Sequence, residues 1–323
     1  MGIMLILEDL TAEIPDTNSY HWNLKQYSSD DQRNVLMYGY NSSANTEFHK
    51  LTDGYRKIYF NNWSPCEFAQ VRDHNGLTPL NYDDKFDIIY SICPFSVDWL
   101  NDIQQAKKYR YVFYPFEKSL IPEPQDKKYD VIYHGGIHGK EHISALQVMK
   151  KYNYRYCTMT HGINNLTRHL LPMATNTNLA FRDKINLVAQ SKISICYNIV
   201  HVMPEQVSRI LDRPRHLENK AFATVNNGWD VMPQFKTRIH EAAISKTLNL
   251  VRRDNWNVIE DFYEPDKEFI YFDDEIDLSK KIDHILSNWD DYQVVIENAF
   301  NKSLSYTTEK FISKIQEDMD NDL

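Results

Sequence analysis

Apolar residues in the first part of the chain come in short unbroken runs with polar stretches between them. Ile3 to Leu7 (IMLIL), Asn34 to Tyr40 (NVLMYGY), Lys57 to Phe60 (KIYF), Phe86 to Cys93 (FDIIYSIC) and Tyr109 to Tyr114 (YRYVFY) are such runs. They are rich in β-branched and aromatic residues and are bounded by Asp, Asn, Pro or Lys, which predicts buried strands. Between the last two lies Ser96 to Lys108, with Ser96 as a candidate N-cap, Asp98 in the first turn and Lys107 and Lys108 in the last. These choices suit a helix and its dipole. Strand, helix, strand at this spacing is a βαβ unit and favours a parallel sheet.

Pro115 to Lys128 breaks the pattern. Three prolines and six charged residues make a poor helix and a poor strand, so this stretch reads as a linker. A second alternating series follows it. Strands are predicted at Tyr129 to Tyr133, Arg155 to Thr160, Ile193 to Tyr197, Leu248 to Val251 and Phe269 to Phe272. Helices are predicted at Glu141 to Tyr152, Asp183 to Gln190, Thr237 to Ser245, Leu278 to Trp289, Asp291 to Asn301 and Thr308 to Asp318. The fold class expected is α/β, with two tandem Rossmann-like domains.

Length and composition narrow the classes. The chain has 323 residues, 42% of them hydrophobic and 25% charged, enough apolar material for two cored domains. The formal net charge of −9 gives no support to a dominant basic surface for nucleic acid. No apolar run approaches the roughly 20 residues of a membrane-spanning helix. Met1 to Leu10 lacks a basic start and meets Glu8 and Asp9 early, so it reads as a strand and not as a signal peptide. Cys66, Cys93, Cys157 and Cys196 form no CxxC pair and read as free thiols of a reducing compartment, which places the chain in the cytoplasm.

Candidate chemistry gathers in the second series. Gly135-Gly136-Ile137-His138-Gly139-Lys140 follows a strand and precedes a helix. Glycines there admit a phosphate close to the backbone, the helix start offers unpaired N–H groups, and Lys140 adds charge. An ordinary βα turn also uses glycine. His134, His138 and His142 are spaced by four, but they straddle a strand end, a turn and a helix start, so they would share no face for a metal. Arg238 and Glu241 stand three apart on one side of a helix. An arginine can clamp a diphosphate and a carboxylate can accept both hydroxyls of a ribose; a plain surface ion pair fits the same spacing. His161, in MTHGIN, is a site candidate at a strand end and equally a strand-capping histidine. Asp318-Met319-Asp320 resembles a metal-holding DxD but reads as a solvated acidic tail.

From about Pro115 onward the order of these pieces resembles the glycosyltransferases of the GT-B fold, specifically the CgeB-like group and the larger retaining family of group 1 glycosyltransferases. The carrying segments are Tyr129 to Gly136 (YDVIYHGG), Asp183 to Asn198 (DKINLVAQSKISICYN), Phe235 to Ala243 (FKTRIHEAA), Glu260 to Phe272 (EDFYEPDKEFIYF), Asp274 to Ser287 and Tyr306-Thr307-Thr308.

The resemblance implies an acceptor-binding domain at 1–118, a nucleotide-sugar-binding domain at 119–300, and a C-terminal helix with an acidic tail at 301–323 that packs back across the cleft. It implies Glu241 on the donor ribose, Arg238 and Lys140 on the diphosphate, Gly135 and Gly136 as the cleft floor, and Asn198 at the end of the unit leading to the donor site. Arg238, Lys140 and His161 are the catalytic candidates. The activity implied is transfer of a sugar from a nucleotide-diphosphate donor to a glycan, lipid-linked saccharide, protein or modified DNA base. It would be retaining, with no metal and no cofactor beyond the donor. The sequence departs from the group at Pro233, where many members carry a second glutamate eight residues before the one that matches Glu241. A non-catalytic nucleotide- or carbohydrate-binding protein on the same scaffold is the alternative.

Overall fold

A computed structural model describes residues 4–8, 24–28, 34–38, 55–61, 86–92, 97, 101, 107–137, 140–159, 172–202 and 230–321 of the protein. The first five apolar runs form one sheet. Its strands are β1 (Met4–Glu8), β2 (Asn34–Tyr38), β3 (Arg56–Asn61), β4 (Ile88–Ser91) and β5 (Tyr109–Tyr111). They lie side by side in chain order and every pairing is parallel. β5 stops at Tyr111 and not at Tyr114, because Val112 onward leads into the linker. The helix expected at Ser96 to Lys108 lies mostly outside the described residues.

The second series forms a six-stranded sheet: β6 (Tyr129–His134), β7 (Tyr154–Thr158), β8 (Asn176–Thr177), β9 (Ser191–Cys196), β12 (Leu248–Arg252) and β13 (Ile270–Phe272). The spatial order is β13-β12-β9-β6-β7-β8, and all pairs are parallel. The order reverses between β6 and β9. In open parallel sheets such a reversal opens a crevice at the carboxyl ends of the strands, where ligands bind. Among its described strands the first sheet has no reversal. A separate antiparallel ribbon, β10 (Ile199–Val202) with β11 (Asp230–Pro233), springs from the end of β9.

Helices cover both faces of the second sheet. α1 (Lys140–Met149) and α4 (Glu275–Ser287) bury Leu146, Met149, Leu278 and Ile282 against Val131, Ile193 and Leu250. On the opposite face, α2 (Phe181–Ala189) and α3 (Arg238–Ile244) bring Val188 and Ala242 onto Ile132 and Cys157. α5 (Gln293–Ser303) adds Val295 and Ile296 to the first of these cores.

α6 (Thr308–Asn321) runs three residues past its expected end. Its Phe311, Ile312, Ile315 and Met319 join Leu36, Ile58, Phe60 and Ile88 in the core of the first sheet. The Asp318 region is therefore no free tail: Tyr90 donates its hydroxyl proton to the Asp318 carboxylate at 3.1 Å, and Met319 is buried. A pair of backbone bonds, Phe116 N–H to Tyr306 O and Thr308 N–H to Phe116 O, ties the linker to the start of α6.

Candidate active site

The reversal between β6 and β9 is where the candidate residues meet. β6 ends at His134 and the chain turns through Gly135, which has φ +144°, a conformation that L side chains rarely adopt. Arg238 opens α3 and lies across this turn. A Cβ built on Gly135 would stand 2.3 Å from Arg238 Nη2 and 2.6 Å from its Cζ. Arg238 Nη1 donates to the Tyr133 hydroxyl at 2.8 Å, and that hydroxyl donates in turn to Gly136 O at 2.8 Å. Burial pushes the Tyr133 phenol up to about 12, so it stays neutral and holds guanidinium and glycine turn together.

Glu241 lies one turn further along α3, buried at 3% exposure. Its Oε2 is 3.0 Å from His134 Nδ1 and 2.9 Å from Lys184 Nζ, and Lys184 also donates to Oε1 at 3.0 Å. Lys184 comes from α2, and its side chain keeps contact with solvent. His134 is fully enclosed and its other nitrogen is 3.1 Å from Ser194 Oγ. Burial holds the His134 pKa below the ordinary imidazole value, with Lys184 and Arg238 acting the same way and Glu241 opposing them. Small residues make this approach possible: Ala242 lets α3 settle onto Ile132 and Cys157.

Asn198 plays a bracing part. Its side-chain carbonyl accepts from Lys236 N–H at 3.1 Å, and its backbone carbonyl from Gln234 N–H at 2.8 Å. These bonds aim the segment that leads into α3. Lys140 opens α1, but its side chain, like all of His161, lies outside the described residues. His134 and His142 lie on opposite sides of the sheet: His142 packs against Tyr197, with centroids 4.3 Å apart and the rings tilted by 39°. Cys157 and Cys196 are buried, and burial pushes both thiols up to about 12, too high for a nucleophile.

Four residues of this cluster were not singled out as donor-site candidates from sequence: Tyr133, His134, Lys184 and Ser194. Three come from β6 or β9, the strands that flank the reversal, and one from α2 beside them. Their positions on strands and on a helix start were readable; the strand order that brings them together was not.

A family model described as glycosyl transferase-like matches residues 136–316, more than half of the chain. The protein belongs to this family. The match covers the second sheet from β7 onward, leaving out β6, together with α3 and most of α6. No curated protein matches the sequence.

Solved structures match it widely. HepE of Anabaena, crystallised with UDP-glucose, gives a TM-score of 0.58 at 12% identity over 88% of this chain and 78% of that one. Sucrose-phosphate synthase from Thermosynechococcus elongatus gives 0.56 at 9% identity, over 90% and 73%. TarM gives 0.53 at 11% identity over 88% of this chain, which spans 54% of the TarM chain. The fold is that of the GT-B glycosyltransferases. Among the described residues no helix is long and apolar enough to cross a membrane.

Proposed function

We propose that this glycosyltransferase carries the nucleotide-diphosphate sugar at the carboxyl end of its second sheet and transfers the sugar to an acceptor bound against the first. The observation that carries this reading is the convergence of Arg238, the Gly135 turn and Glu241 at the strand-order reversal. Arg238 and Lys140 take the diphosphate and Glu241 takes the ribose. As the bond to the sugar breaks, negative charge develops on the departing diphosphate. A fixed guanidinium is preorganised for that charge, and the loss of one such donor typically costs about 10²–10³ in rate. Metal independence, retention at the anomeric carbon and a cytoplasmic setting belong to this reading, as does the division into an acceptor unit at 1–118, a donor unit at 119–300 and a closing segment at 301–323.

HepE was solved with UDP-glucose and a TarM variant with UDP, which makes a uridine nucleotide the first donor to try. The acceptor is a glycan, lipid-linked saccharide, protein or modified base. Incubation with UDP-glucose and UDP-N-acetylglucosamine, followed by assay of free UDP, tests the proposal. Slow release that falls at least about a hundredfold in Arg238→Ala supports it.

A second reading, a non-catalytic nucleotide-binding protein, draws on two observations. Pro233 stands where the group's second glutamate is expected, and its backbone closes the β10–β11 ribbon opposite Ile199. Glu241 already has Lys184 and His134 as partners. A thermal shift with UDP and no UDP release from either sugar nucleotide would favour it.

A further inference from the structure

Resting on the reading that Glu241 holds the ribose, we propose that His134 is the positioning residue of that carboxylate and that Ser194 sets the tautomer of its ring. An ionised carboxylate only accepts hydrogen bonds, so the ring tautomer suited to Glu241 Oε2, 3.0 Å from His134 Nδ1, is the one with its proton on Nδ1. A neutral imidazole then has a lone pair on Nε2, and this accepts the Ser194 hydroxyl proton across 3.1 Å. The ring is kept neutral by its enclosure and by the Lys184 and Arg238 cations that face it beside the carboxylate of Glu241.

The two ends of this chain of bonds differ in rigidity. Ser194 sits mid-strand in β9, paired with Ile132 of β6 on one side and Asn249 of β12 on the other. His134 is the last residue of β6, paired with Cys157 of β7. Both are anchored on interior strands of the sheet. Lys184 reaches the same carboxylate from a long side chain on a surface helix. A diol that arrives from solvent therefore meets Lys184 and exchanges with it, while His134 keeps Oε2 in place from behind. The carboxylate is presented in one orientation, which spares the ordering cost of binding.

The test is calorimetric titration of the full chain with UDP and, separately, with inorganic pyrophosphate, which carries the phosphates without the ribose. Glu241→Ala is expected to weaken UDP more than about tenfold, and His134→Phe about fivefold or more, with pyrophosphate affinity held within about twofold. The double variant is expected to bind UDP no more weakly than Glu241→Ala alone, because both changes act through one carboxylate. His134→Asn keeps an N–H near the Nδ1 position and is expected to recover most of the loss. If His134→Phe shows no cooperative thermal transition, Ser194→Ala replaces it, with a UDP loss of about twofold to fivefold that vanishes in the Glu241→Ala background.

A folded His134→Phe that binds UDP like the parent, loses UDP and pyrophosphate equally, or adds its loss to that of Glu241→Ala overturns the proposal and leaves the ribose reading standing. UDP affinity unchanged in Glu241→Ala overturns the ribose reading, and the proposal with it.

Discussion

The guanidinium of Arg238 fills the space that a side chain on Gly135 would occupy, with Nη2 2.3 Å from the position of the missing Cβ. Two constraints fall on one glycine: an open φ of +144° and a charged group pressed on its Cα. Gly135→Ala is expected to push Arg238 off the Tyr133 hydroxyl and to strain the turn by about 1–2 kcal/mol. Transfer or donor hydrolysis should fall at least about tenfold, measured as UDP release. Near-parental activity in the alanine variant would show that Arg238 works equally well from another place.

Lys184 neutralises a carboxylate that is almost wholly enclosed. Lys184→Met removes its cation and leaves Glu241 with the neutral His134 behind it. The expected cost is about 1–3 kcal/mol, less than for a fully buried pair because Lys184 keeps contact with solvent. Urea unfolding at neutral pH measures it, and the Lys184→Met, Glu241→Gln double variant should regain part of the loss.

Asp254 lies just past β12, buried, its Oδ1 accepting from Trp256 N–H at 2.9 Å. Burial raises its pKa to about 6 against the local N–H donors that lower it. The folded state thus takes up this proton more readily than the unfolded chain, whose carboxyl titrates near the ordinary 3.8. The stability contributed by this group therefore rises as pH falls from about 6 toward about 4, and at neutral pH the ionised carboxylate is a cost. Asp254→Asn should flatten that part of the stability–pH curve and stabilise the fold at pH 7 by about 1–3 kcal/mol. A variant less stable at pH 7 would show that the charge itself has a partner in the fold.

In the proposed reading Arg238 and Lys140 supply the charge that a metal would otherwise bring to the diphosphate, so activity is expected to survive EDTA. Titration with chelator during a UDP-release assay checks this. A complete loss that Mg²⁺ restores would assign the leaving group to a metal.

Much of the fold was legible because both sheets are built from continuous apolar runs. IIYS within β4 and SKISIC of β9 lie between other strands and under helices, and such strands declare themselves by composition. β8 did not, because two polar residues at the edge of a sheet carry no pattern. Nor did the β10–β11 ribbon, whose partners are far apart in the chain. At the site, Arg238 and Glu241 were singled out by the family resemblance, their spacing on one helix fitting a plain ion pair as well. His134, Tyr133 and Ser194 were not, because their roles arise only when β6 lies next to β9, and the order of strands is a property of the packed sheet.

α6 has a consequence for how the molecule is made. Strands β1 to β5 are made well before α6, yet among the described residues Leu36, Ile58 and Phe60 share their core with Phe311, Ile312, Ile315 and Met319. Until α6 is made this core lacks material coded some two hundred residues downstream of the last of these strands, a long interval for an incomplete core. Nascent chains arrested ahead of Phe311 are the ones in which a chaperone would meet the part of that core that α6 covers.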